Sequence, residues 1–155
     1  MRGLPKVHKP GVPMRPITSG IGSAPHRLAK ILAKPLSEAL GSISGAHLRN
    51  SNDLKERISN ISFINKKMVS FDVTSLFTEV PVEEALDAVR AVTERDGVVL
   101  PLPKNDFLRL VELCVKFNNF QFDGGEFKQI HGMAMGSTLS AVMTSLFWKS
   151  WRVNP

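Results

Sequence analysis

Asp72 stands near the end of a short apolar run, Met68 to Val73, that is too short for a buried helix and rich in β-forming residues. A carboxylate where a strand leaves a sheet lies half in solvent and can hold a hard cation through oxygen. The plainer use of the same residue is to end the strand, or to close a turn with Thr74 and Ser75. Two other stretches carry groups suited to anions. Residues 2–20 contain four prolines, together with Lys6, His8, Lys9 and Arg15. Proline density excludes a helix and predicts two extended arms folded about Pro10-Gly11. Cations on so stiff a ribbon lose little freedom on meeting a triphosphate or a nucleic-acid phosphate. A solvated basic loop would have the same composition. The third stretch is His131-Gly-Met-Ala-Met-Gly-Ser-Thr138. Gly132 and Gly136 let backbone approach a ligand, and Ser137 and Thr138 at a helix start offer hydroxyl and N–H groups to an anion or a base edge. No Gly-Lys-Ser/Thr follows, so this is not the phosphate loop of nucleotide hydrolases. His131 has no second His, Cys or acid at metal-ligand spacing.

The intervening sequence reads as the elements that hold these stretches. Ser23 is a candidate cap, with Pro25 in the first turn, for a helix whose Leu28, Ile31, Leu32, Leu36 and Leu40 recur at helical spacing. Arg27, Lys30 and Lys34 would form its wet face, and Pro35 should kink or split it. Residues 41–67 are polar, with a loop around Gly41, Gly45 and Asn50 and a modest helix from Asn52 to Ile61. A helix after Pro81 uses Val82, Leu86, Val89 and Val92, with Glu83 and Glu84 suiting its dipole, and ends at Asp96-Gly97. Another, from Asn105 to Phe117, should bury Phe107, Leu108, Val111, Cys114 and Val115. Phe120 to Ile130 alternates about Asp123-Gly124-Gly125, a hairpin pattern in which Phe120, Phe122 and Phe127 pack against a sheet or stack on bases. A last helix runs through Trp148.

At 155 residues, 43% hydrophobic and 22% charged, the chain has the composition of a globular domain or part of one. Its net charge of +6 favours a polyanionic partner. Cys114 is the only cysteine, which excludes an intrachain disulfide and a multi-cysteine zinc site and fits a reducing compartment. No apolar run reaches membrane-spanning length, so no membrane partner is expected. The ends, a basic turn-rich start and Trp148-Lys-Ser-Trp-Arg-Val-Asn-Pro155, suggest a piece of a longer protein.

In this order the stretches resemble a reverse transcriptase of the Penelope-like retroelement family. The likeness lies in Gly3-Leu-Pro-Lys-Val-His-Lys-Pro-Gly11, Arg15-Pro-Ile17, Ser70-Phe-Asp-Val-Thr-Ser-Leu-Phe-Thr-Glu-Val-Pro81, Asn118-Asn-Phe-Gln-Phe122 and Gly132-Met-Ala-Met-Gly-Ser-Thr-Leu-Ser140. It implies an α+β fold of the right-hand polymerase type, with fingers over residues 1–67, an incomplete palm over 68–147 and a divergent tail over 148–155. It also implies an RNA-directed DNA polymerase that adds deoxynucleoside triphosphates to a primer 3′ end on an RNA or DNA template, in the nucleus, with Mg2+. Asp72 would be the first metal-binding aspartate, with the Val73 carbonyl a further ligand. Lys6 and Arg15 would hold the triphosphate, His8 and Lys9 would meet nucleic acid, and Phe77 would exclude a ribose 2′-OH. Met135, Gly136 and Ser137 would line the nucleotide pocket.

Two magnesium ions about 3.5–4 Å apart neutralise the attacking and leaving oxygens of such a transfer. The family supplies further acids from an Asp-Asp pair that this sequence does not contain. Thr138 and Ala141 stand where prolines are usual, and Glu79 where Asn is. The chain is therefore expected not to polymerise by itself. Its alternatives are a catalytically dead basic domain that holds RNA or DNA, and a basic α/β domain with no nucleic-acid role. A palm sheet without its later strands would also leave an unpaired edge and an exposed apolar face.

Overall fold

The computed structural model describes residues 1–153 except Ser19, 43–47, Arg49 and Phe71, with backbone alone for Ser42 and 151–153. The loop expected at Gly45, and Phe71 of the Asp72 block, lie outside the described residues. β1 (Arg2–Pro5) and β2 (Met14–Ile17) pair antiparallel, with Arg2 opposite Ile17 and Pro5 opposite Met14. This is the ribbon that the prolines predict. Both strands are edges, where a missing proline N–H costs no ladder bond. The ribbon continues through Lys6 N–H donating to Pro13 C=O at 3.0 Å and turns with positive φ at Gly11 and Val12.

α1 (His26–Ser42) runs unbroken through Pro35. Leu32, Ala33, Leu36 and Ala39 are buried on both sides of the proline, so packing holds together a helix that the proline alone would split. Two local expectations fail. The Ser23 hydroxyl donates to the Gly20 carbonyl at 2.6 Å rather than capping the helix, and Pro25 precedes the first helical residue. Ile31 is 60% exposed, because the buried stripe follows Ala29, Leu32, Ala33, Leu36 and Ala39 and leaves Ile31 among Arg27, Lys30 and Lys34. α2 (Ser51–Ile58) starts one residue before Asn52, ends short of Ile61 and is capped by Asn50: the Asn50 Oδ1 accepts from the Asp53 N–H at 3.0 Å.

The largest departure concerns Met68 to Val73. The described residues of this run are irregular rather than a strand, and Met68 and Val69 are 75% and 69% exposed. A strand exists by pairing. Among the described residues the only pairings are β1 with β2 and a second hairpin, so the run has no neighbour to complete it. After it come α3 (Leu76–Glu79), entered through Ser75 at φ 56, then α4 (Val82–Thr93) and α5 (Lys104–Lys116). In α5, Phe107, Val111, Cys114 and Val115 are buried at the expected positions.

β3 (Asn119–Phe122) and β4 (Gly125–Lys128) form the expected hairpin. Its loop is Asp123-Gly124 alone, both at positive φ as a two-residue primed turn requires, and Gly125 already pairs with Phe122. The phenylalanines have no larger sheet to pack on. Phe120 and Phe127 stack on each other, centroids 5.7 Å apart, while Phe122 and Phe127 remain 49% exposed. α6 (Thr138–Val153) extends past Trp148.

The core lies among α1, α4, α5 and α6, with Leu36, Leu86, Phe107, Met143 and Leu146 fully buried. It draws on residues from both sides of position 67, and Lys149 Nζ reaches back to the Leu40 carbonyl at 2.7 Å. The fold is α+β: a helical core flanked by two β-ribbons. Among the described residues no helix is long and apolar enough to cross a membrane.

Candidate functional site

The glycine-bearing loop before α6 is the structural junction of the molecule. Met133 is fully buried and anchors it in the core. Gly132, at φ 70, lies so close to α3 that a Cβ there would stand 2.7 Å from the Thr78 Cα and carbonyl carbon. The Met133 N–H donates to the Phe77 carbonyl at 2.6 Å. Two residues on, the Met135 carbonyl accepts from the Thr18 N–H at 2.9 Å and from the Thr18 Oγ1 at 3.1 Å. A Cβ at Gly20 would sit 3.8 Å from the Gly136 carbonyl oxygen. One loop therefore ties α3, and with it Phe77, to the inner end of the basic ribbon.

Phe77 is half-buried with its side chain packed against the core. Met135 lines a cleft of about 370 Å3 with Pro16, Thr18, Thr78, His131 and Met133. Ser137 borders a smaller cavity of about 50 Å3 with Thr18, Ser23, His26 and Asn118. Gly136 is exposed at φ 115. Arg15 is exposed on β2 opposite Leu4, roughly 10 Å along the strand from Thr18. Strand alternation puts Arg15 on the same ribbon face as Arg2 and Lys6. Lys6 lies roughly 17 Å from the Thr18 junction, and His8 and Lys9 are exposed in the turn beyond it.

Asp72 and Val73 are exposed on the irregular segment five and four positions before Phe77. The Asp72 carboxylate forms no hydrogen bond or ion pair with the described residues, and no group of three or more His, Cys, Asp or Glu gathers among them. Glu83 is engaged elsewhere, 3.0 Å from Lys116 Nζ. Hydrogen bonds to Glu112 and then Glu83 push the Lys116 ammonium up from its ordinary value. Burial pushes the Cys114 thiol up as well, which suits a core residue beside the small cavity rather than a nucleophile.

The loop thus brings Phe77, Met135, Gly136 and Ser137 to the end of the ribbon that carries Arg15. The loop itself carries no acid, and no group of three or more ligating side chains forms at Asp72 among the described residues. Thr18 holds the junction through its N–H and its hydroxyl, and Thr78 through the close approach of its backbone to Gly132; the sequence alone points to neither, since most of these contacts use backbone groups that any residue carries. No protein-family model, curated protein or solved structure matches this chain.

Proposed function

We propose that the chain is the fingers and part of the palm of an RNA-directed DNA polymerase of the Penelope-like type, with a site for a magnesium-bound deoxynucleoside triphosphate beside a primer–template. The observation that carries this reading is the bridge from Thr18 through Met135 and Met133 to Phe77. It ties the cationic ribbon, the glycine loop and the short helix that carries Phe77 into one assembly, and nucleotide recognition needs its groups held in a fixed arrangement. Lys6 and Arg15 meet the triphosphate, and His8 and Lys9 meet nucleic-acid phosphates. Phe77, backed by the core, excludes a 2′-hydroxyl.

Magnesium takes one or two protein carboxylates and completes its shell with substrate phosphates and water. Asp72, exposed and without a partner among the described residues, and the Val73 carbonyl fit one such ion arriving with a nucleotide. They do not fit a resident pair, because no three ligating side chains gather among the described residues. No transfer step is therefore assigned to this chain, and primer extension by the purified polypeptide with magnesium and all four substrates is expected to stay at background. Sustained template-dependent incorporation would contradict this.

Equilibrium binding tests the site itself. Magnesium-dependent binding of a deoxynucleoside triphosphate is expected, and Arg15→Ala should weaken it roughly tenfold, the worth of one charge-assisted hydrogen bond. The ribonucleotide should compete poorly until Phe77→Val removes the wall, since the discrimination is repulsive. The binding-only alternative is favoured by the absence, among the described residues, of any group of three or more ligating side chains. It predicts salt-dependent polynucleotide binding with no magnesium-dependent nucleotide binding at all.

A further inference from the structure

We infer that the groove between the two β-ribbons is a track for single-stranded polynucleotide, gripped by base stacking on Phe127 and Phe120. This goes beyond the nucleotide site proposed above and does not depend on it. The groove encloses about 860 Å3, with Arg2 and Ile17 of the first ribbon on one side and Phe120, Phe127 and Lys128 of the second on the other. Two features select the occupant. The first is aromatic surface that the core leaves out: Phe120 and Phe127 stack at 5.7 Å with planes 19° apart, and Phe127 is 49% and the neighbouring Phe117 44% exposed. Every base offers a π-face to such a platform, so the grip is tolerant of sequence. The second is charge. Arg2 and Lys128 line the groove, and the ribbon face of Arg2 continues through Arg15 to Lys6, so positive charge runs on from the groove toward the turn. Glu126 is the one carboxylate among the lining residues. An acidic polypeptide would satisfy the cations but make no use of the paired rings. A duplex keeps its base faces stacked inside and cannot offer them.

The test is fluorescence anisotropy, without divalent metal, on a labelled single strand of roughly 12 nucleotides and on the same strand annealed to its complement. The single strand should bind more tightly than the duplex. Phe127→Ala should weaken it roughly 5- to 30-fold, Phe127→Trp should keep or improve it, and Lys128→Gln should lower the salt slope by about 0.7. Because Phe127 is half-exposed on a hairpin, circular dichroism of both variants should match the parent, and the Trp variant keeps a ring in place should the Ala variant loosen. Unchanged binding in Phe127→Ala, lost binding in Phe127→Trp, or a duplex bound at least as tightly would each overturn the inference. Displacement by polyglutamate as effective as by the unlabelled strand would overturn it too, by giving the groove to an acidic protein. Since no metal is present, none of these outcomes bears on an ion at Asp72.

Discussion

Gly132→Ala is expected to lower the stability of the fold by roughly 3–5 kcal/mol, combining a left-handed backbone forced on a residue with a Cβ and the overpacking of a tight contact. The position leaves no room for relief. The added carbon would meet the Thr78 backbone at 2.7 Å, and backbone cannot swing aside as a side chain does. Moving the loop instead would draw Met133 from its fully buried seat and break its 2.6 Å bond to the Phe77 carbonyl. Gly124 separates the two causes. It has nearly the same φ, 74 against 70, but a Cβ there meets nothing within 4 Å. Gly124→Ala should therefore cost only about 1–2 kcal/mol, the backbone part alone. Urea midpoints of the two variants decide the matter, and equal losses would show that close approach at Gly132 contributes nothing.

The second large effect is functional. Asp72→Ala should remove the magnesium dependence of nucleotide binding, a loss of at least about 100-fold in the metal-supported affinity, since even changes to residues behind a metal ligand cost 10- to 100-fold. The fold should not notice. Asp72 is exposed and bonds to none of the described residues, so the variant's unfolding free energy should change by no more than about 0.5 kcal/mol. Calorimetric titration with and without a chelator separates the two. A variant that still binds the nucleotide more tightly with magnesium would exclude Asp72 as a ligand.

Where local chemistry decided the structure, the sequence could be read directly. Proline density produced the β1–β2 ribbon, Asp123-Gly124 produced the second hairpin, and apolar spacing located α4 and α5. Where the outcome depended on distant partners, it could not. Met68 to Val73 has a strand's composition, but pairing needs a neighbour, and none of the described residues supplies one. Pro35 disfavours a helix locally and is overruled by the burial of Leu32 and Leu36 on either side. Phe120, Phe122 and Phe127 looked like core residues because aromatics usually are, and a two-stranded ribbon gave them little to pack against. The candidate site divides in the same way. Arg15, Gly136 and Ser137 stand out by residue type, Phe77 and Met135 enter only through the resemblance, and the Thr18–Met135–Met133–Phe77 bridge that unites them is made mostly of backbone hydrogen bonds invisible in a string of residue names.

Paramagnetic broadening in NMR offers the most direct examination of the proposed site, with manganese standing in for magnesium. A deoxynucleoside triphosphate carrying Mn2+ should broaden the amide signals of Val73, Phe77 and residues 135–137 together, and the effect should vanish in Asp72→Ala. Broadening that falls elsewhere, or that persists unchanged when the Asp72 carboxylate is gone, would contradict a nucleotide site at the junction of ribbon, short helix and glycine loop.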